Sequence, residues 1–195
     1  ATALRTLWAG GAIVLFDPTN PGEAIETHQV TSISASPASL RTLLDHRRPG
    51  SGPYPSVQEI EVGGSRFPAP LHDAVIERIC PNIVSHYGSS ELGGIASAPL
   101  SRLGDHPGAT GFVWPGVEVQ ALGPDGQILP PGQEGVLRMR GPSMIDAYRE
   151  NIAAPPALSA SGILDPEYDR FAGGWFVSSD IGSVTADGFL TLTGR

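Results

Sequence analysis

Ile83-Val84-Ser85-His86-Tyr87-Gly88-Ser89-Ser90-Glu91 decides how this chain is read. Ile83 and Val84 begin an apolar strand, and the polar run from His86 to Glu91 follows at its carboxyl end. In α/β proteins that end is where ligands bind. Tyr87 offers a flat face to a base, and Gly88 lets backbone approach a ligand closely. Ser90 brings a hydroxyl suited to a phosphate oxygen. Glu91 is a hard oxygen donor of the kind Mg²⁺ takes. A polar strand-to-loop junction with a packed tyrosine accounts for the same residues, so the segment needs its surroundings.

Upstream, strands and helices alternate. Leu4, Leu7 and Trp8 have helical spacing, and Gly10-Gly11 is a helix stop. Ala12 to Phe16 is a continuous apolar run of the kind a doubly covered parallel strand shows. Asn20-Pro21-Gly22-Glu23 reads as a helix start, with Asn20 as cap, Pro21 in the first turn and Glu23 reaching back. Val30 to Ala35 is a strand, and Ser36-Pro37 opens a helix whose apolar face carries Leu40, Leu43 and Leu44. Val57 to Val62 is the next strand and ends in Gly63-Gly64-Ser65. Leu71, Val75, Ile76 and Ile79 mark the helix before Ile83. Repeated strand–helix units predict a parallel sheet with right-handed crossovers.

Downstream the period becomes two. Val117 and Val119 alternate with polar neighbours, Pro124-Asp125-Gly126 turns the chain, and Gln127 to Leu129 returns. Val136, Leu137 and Met139 alternate with Arg138 and Arg140. Ile181 to Thr185, Asp187-Gly188 and Phe189 to Thr193 read as a hairpin. The fold class is therefore α/β: a parallel αβ subdomain over residues 1–103, then a small antiparallel, barrel-like subdomain over 104–195, the change falling near Leu103 to Gly108. Asn151 to Phe171 reads as a long irregular loop. Both ends read as cut, because the first helix needs a preceding strand and the last strand stops at Gly194-Arg195.

Composition narrows the chemistry. Of 195 residues, 40% are hydrophobic and 16% charged, enough for a sizeable core. The net charge of -8 argues against a nucleic-acid surface or a polybasic membrane patch. All 12 basic residues are Arg, so a Walker-type phosphate loop and Schiff-base chemistry, which need Lys, are excluded within the chain. Cys80 is the single cysteine, so no internal disulfide forms, and its apolar context predicts a buried structural thiol. No apolar run is long enough to span a bilayer, and a cytoplasmic protein is expected.

Two further constellations join the first. Gly173-Gly174-Trp175-Phe176-Val177-Ser178-Ser179-Asp180 places Asp180 to accept from both hydroxyls of a ribose, although an Asp at a strand turn is common. Gly63-Gly64-Ser65 lets main chain lie against a flat ring, and a simple strand-to-helix turn explains it equally. The three sets in this order resemble the adenylate-forming superfamily of acyl-CoA synthetases, adenylation domains and luciferases. Tyr87 to Glu91 is similar to its Tyr-Gly-x-Ser/Thr-Glu motif, and Trp175 to Asp180 to its Trp-Phe/Tyr-x-Thr-Gly-Asp. Gly135 through Gly141 to Ala147-Tyr148 resembles Gly-Glu-Leu…Gly…Gly-Tyr. Gly194-Arg195 resembles the hinge Gly-Arg, with Arg195 fifteen positions after Asp180. Ser178-Ser179 stands where the family has Thr-Gly, Val136 where it has Glu, and Ala147 where it has Gly.

The resemblance implies an ATP-dependent acid–thiol ligase. Its carboxylate attacks the α-phosphate, giving an acyl-adenylate and pyrophosphate, and a thiol, often CoA, takes the acyl group. It implies Ser90 and Glu91 as catalytic residues, with Glu91 the Mg²⁺ ligand and Ser90 on the α-phosphate. Tyr87, Gly88 and Ser89 belong to the nucleotide loop, Gly63, Gly64 and Ser65 line the base, and Asp180 with Arg195 fixes the ribose. His86 touches the base edge or the acyl pocket. Glu91 and Asp180 are expected to converge on one AMP-sized cleft. The family's Pro-Lys phosphate loop and C-terminal catalytic Lys lie outside this stretch, so the chain alone is expected to be inactive. Two rivals stand beside this reading. One is a non-catalytic nucleotide- or protein-binding remnant of the fold. The other is a serine hydrolase using Ser89 or Ser90 with His106, although Gly-x-Ser-x-Gly spacing is missed by one residue.

Overall fold

The computed structural model describes residues 2–15, 20–48, 50–65, 67–104, 108–146 and 170–195. The chain forms two compact units, Ala1–Gly88 with Ala96–His106 and Ser89–Ile95 with Pro107–Arg195. The loop after Tyr87-Gly88 thus leaves the first unit, and the chain returns to it within β4 (Gly93–Pro99).

In the first unit, β1 (Ser32–Ala35), β2 (Glu59–Gly63) and β3 (Ile83–Ser89) form a parallel sheet in that order. Ile33 is opposite Ile60, which is opposite Ile83, so one apolar row crosses the strands. Against it pack α2 (Pro21–His28), α3 (Pro37–His46) and α4 (Ala69–Arg78) through Ile25, Leu40, Leu43, Leu71 and Val75. Period-two alternation leaves Ser34, Glu61 and His86 off the apolar row. Cys80 is buried, with its Sγ directed at the carbonyl oxygens of Val57 (3.5 Å) and Asn82 (3.7 Å), as a structural thiol should be.

Local signals act mostly as read. The hydroxyl of Ser36 accepts from the Ser39 N–H at 3.1 Å, a cap that contributes about 1 kcal/mol. At α1 (Thr2–Trp8) the Gly11 N–H donates to Thr6 O and the Gly10 N–H to Leu7 O, with Gly10 at φ +81. These paired bonds close the helix end. At α2 the cap differs from expectation: the Asn20 side chain makes no bond to a backbone N–H, and its amide donates instead to Glu23 Oε2 at 2.7 Å.

Residues 12–15 are not a strand. An apolar run becomes a parallel strand only when a neighbour supplies its ladder, and among the described residues none lies beside it. Leu15 is 92% exposed as a result. Phe16 and most of the loop expected from Asn151 to Phe171 lie outside the described residues, as do Ala147-Tyr148 and His106.

The second unit is antiparallel. Its ladders run β5 (Ala109–Val113), β10 (Phe189–Gly194), β9 (Trp175–Val184), β7 (Gly135–Arg140), β6 (Glu118–Leu122), with β8 (Phe171–Ala172) on β9. Among the described residues β5 and β6 are the two ends of this path in the second unit. Leu137, Met139, Phe176 and Leu190 are buried. Arg138 and Arg140 alternate to the other side, bonding Gln120 and Glu118 and standing 4.5 and 4.4 Å from the Trp175 ring. The hairpin from β9 to β10 is closed by Thr185, whose backbone pairs with Phe189 O and whose hydroxyl bonds Asp187.

Candidate functional site

The predicted residues fall into two groups, one in each unit. In the first, β2 ends alongside β3, with Gly63, its last residue, opposite His86. A Cβ on Gly63 would lie 2.6 Å from the His86 carbonyl oxygen, so only glycine permits this approach of the strands. Gly64 follows at φ +86, turning the chain out of the sheet, and Ser65 is exposed beyond it.

Gly63, Gly64 and His86 line a cleft of about 290 Å³ together with Ser34, Ala35, Ser36 and Glu61. Nδ1 of His86 stands 3.1 Å from Oε1 of Glu61, and these side chains are only 24% and 14% exposed. Tyr87, the next residue on β3, does not line this cleft. Successive strand residues project to opposite faces, so His86 and Tyr87 serve different surroundings.

Glu61, Ser34 and Ser36 were not anticipated. The signal was present in β2: Glu59 and Glu61 alternate with the core residues Ile60 and Val62, and parallel pairing brings Glu61 diagonally beside His86.

In the second unit, Ser89, Ser90 and Glu91 make the turn from β3 to β4. The Leu92 N–H donates to Ser89 Oγ at 3.2 Å, and the Ile145 N–H donates to the Glu91 carbonyl at 2.9 Å. Gly94 lets the Trp114 ring lie on the backbone just beyond, where a Cβ would come within 2.4 Å of it. The turn is therefore held from three sides. These features count against the hydrolase reading. A nucleophile elbow is a strand–turn–helix with an exposed hydroxyl; here a second strand follows, and the Ser89 hydroxyl is engaged in the turn.

Asp180 and Arg195 are brought together. Arg195 Nε donates to Asp180 Oδ1 at 2.8 Å; the Asp side chain is 11% exposed and the Arg 77%. Ser178, buried, takes the position of the family threonine. Its hydroxyl accepts the Asp180 N–H at 3.1 Å and donates to Leu137 O at 3.1 Å, which holds Asp180 in place. Ser179 continues the extended strand at negative φ, so the missing glycine costs no backbone strain there.

Glu91 was expected to hold Mg²⁺. Among the described residues no group of three or more His, Cys, Asp or Glu could enclose a metal. Mg²⁺ bound to a nucleotide uses one or two carboxylates with waters and phosphates, so a single half-buried carboxylate on a braced turn fits it.

The first unit is thus a parallel sheet with a polar cleft at its strand ends, and the second is an antiparallel unit in which a buried Asp180 pairs with an exposed Arg195. The chain belongs to the AMP-binding enzyme family, whose pattern matches residues 2–149. It is 27% identical over 196 residues to feruloyl-CoA synthase of Amycolatopsis sp, covering 98% of this chain and 37% of that protein. It is 31% identical over 196 residues to indoleacetate–CoA ligase of Aromatoleum aromaticum, covering 97% and 35%. O-succinylbenzoate coenzyme A synthetase from Bacillus subtilis, in complex with AMP, has the same fold: TM-score 0.75, 23% identity, 98% of this chain and 37% of that one. The chain thus spans little more than a third of the length of the relatives it matches. No helix among the described residues is long and apolar enough to cross a membrane.

Proposed function

We propose that this chain is the nucleotide-handling part of an ATP-dependent acid–thiol ligase, which adenylates a carboxylic acid and passes the acyl group to a thiol, CoA in the first instance. The observation that carries the reading is the Asp180–Arg195 pair, a buried carboxylate fixed at 2.8 Å by an exposed guanidinium at the family's ribose and hinge positions. Asp180 accepts from the ribose hydroxyls, and Arg195 orients the carboxylate through its Nε–H. Tyr87 packs against the adenine, Gly63, Gly64 and Ser65 border it, and Gly88 and Ser89 shape the loop. Ser90 donates to the α-phosphate. Glu91 holds Mg²⁺, which when bound neutralises phosphate charge. Negative charge grows on the α-phosphate as the carboxylate attacks, so donors fixed beforehand lower the barrier. The braced turn from Ser89 to Leu92 supplies that fixity.

The reading places the protein in the cytoplasm, where ATP and CoA are supplied. Its test is carboxylate-dependent ATP–pyrophosphate exchange by the full-length protein, with the 195-residue chain alone as the inactive control. Glu91→Ala in the full-length protein is expected to lower kcat/KM for Mg·ATP by about 100-fold, the scale of losing one preorganised electrostatic group. Unchanged adenylation kinetics would remove Glu91 from the metal, and no exchange with any acid would leave the non-catalytic remnant as the better description.

A further inference from the structure

The cleft at the ends of β1, β2 and β3 carries a carboxylate that the adenylation chemistry does not use. Glu61 is 14% exposed and lines the cleft, with Oε1 turned to His86 Nδ1. A carboxylate accepts at about four lone-pair positions, and His86 satisfies one of them. The remaining lining offers little to an alkyl chain. It consists of Ser34, Ser36, the backbone of Gly63 and Gly64, and one methyl group, that of Ala35. Ser36 already bonds Ser39 through its hydroxyl, so it reinforces the wall more than it recruits a ligand.

From this we infer that the cleft selects the acyl substrate: a short carboxylic acid bearing a hydrogen-bond donor, hydroxyl or amino, at the end remote from its reacting carboxyl. The inference rests on the ligase reading and deepens it. Three features carry it. The volume of about 290 Å³, at the lower limit of ordinary ligand pockets, about 300 Å³, suits the end of a small acid. An alkyl terminus would desolvate Glu61 while giving it no donor, whereas a hydroxyl or ammonium replaces the displaced water. A second carboxylate would meet the like charge of Glu61. For the same reason the reacting carboxyl stays outside and the remote end enters. His86 is a positioning residue here: it holds Oε1 and so sets which lone pairs face the cleft.

The test uses the full-length protein and straight-chain acids of four to eight carbons, each as the plain, ω-hydroxy, ω-amino and ω-carboxy compound. ATP–pyrophosphate exchange gives kcat/KM, and titration calorimetry gives binding of the acids independently of turnover. The donor-bearing acids are expected to exceed the plain ones by about tenfold or more in kcat/KM, since a site built around a substrate hydrogen bond rejects analogues lacking it. Glu61→Leu is expected to bring that ratio to one or below, and Glu61→Gln to keep the hydroxyl preference while admitting the ω-carboxy acids. A wild-type ratio near one, or a folded Glu61→Leu protein with the ratio intact, overturns the inference. Should Glu61→Leu not fold, the isosteric Glu61→Gln decides it, because continued exclusion of ω-carboxy acids contradicts a charge-based gate. If no acid supports exchange, the ligase reading fails by itself, and calorimetry still reads the cleft: binding of ω-hydroxy acids lost on Glu61→Leu and kept on Glu61→Gln supports selection, and indifference to Glu61→Leu refutes it.

Discussion

Asp180→Ala in the full-length protein is expected to reduce kcat/KM for ATP by 100-fold or more, with the melting temperature shifted by only a few degrees. The two effects separate because the two partners of the ion pair differ in exposure. Asp180 is 11% exposed and Arg195 77%. Removing the carboxylate leaves Arg195 unpaired but solvated, and ion pairs with an exposed partner contribute little to folding. Substrate binding is different. A hydrogen bond to a charged acceptor contributes about 1.5–3 kcal/mol, and two ribose hydroxyls bound by one carboxylate lose about 3–6 kcal/mol together. Ser178 and Leu137 still order the strand after the substitution, because their bond does not involve the Asp180 side chain. Arg195→Ala is expected to raise KM for ATP less, and the double variant to lose less than the sum of the single ones, since each partner orients the other. An Asp180→Ala enzyme within fivefold of wild type for ATP would remove the ribose role, and with it the observation on which the proposed function leans.

Some of this was legible from residues and some was not, for physical reasons. Elements set by local chemistry read directly. Ser36-Pro37 starts α3 because a hydroxyl and a fixed φ act within one turn, and Asp187-Gly188 closes the β9–β10 hairpin within four residues. The resemblance set Asp180 and Arg195 at one ribose without pairing them, and the bracing of Asp180 by Ser178 was not read at all. It depends on β7 lying beside β9, which no local signal gives. Residues 12–15 failed for the reverse reason: their sequence is strand-like, and pairing, not composition, makes a strand. β4 escaped notice because Gly93-Gly94 and Ala96-Ser97-Ala98 carry low β propensity, and the strand exists through its neighbours. Glu61 was overlooked because an acidic residue alternating with Ile60 and Val62 looks like the solvated side of a strand until register sets it beside His86.

That register also yields the largest stability effect expected in the first unit, from one methyl group. Gly63→Ala places a Cβ 2.6 Å from the His86 carbonyl oxygen, 3.5 Å from its carbonyl carbon and 3.7 Å from its Cβ. The obstructing atom is backbone of the neighbouring strand at the last pair of the parallel ladder, so relief requires the end of β2 to move away from β3. Overpacking of this kind costs about 1–3 kcal/mol. Against it stands the smaller unfolded-state entropy of Ala, which returns about 0.4–1 kcal/mol where the native φ suits both residues. The clash is the larger quantity, and a net loss of about 2 kcal/mol is expected from urea unfolding at unchanged m-value. Gly64→Ala makes the comparison sharp. No atom lies within 4 Å of its added Cβ, and the only penalty is the left-handed φ of +86. That conformation costs a non-glycine residue about 1–2 kcal/mol. The two variants therefore lose similar stability by different routes, and function distinguishes them. Gly63→Ala displaces His86 and so disturbs its contact with Glu61, changing acid selectivity as well as stability, whereas Gly64→Ala leaves that contact in place. Equal stability of Gly63→Ala and wild type, within 0.5 kcal/mol, would mean that the strands are not held as closely as their register requires.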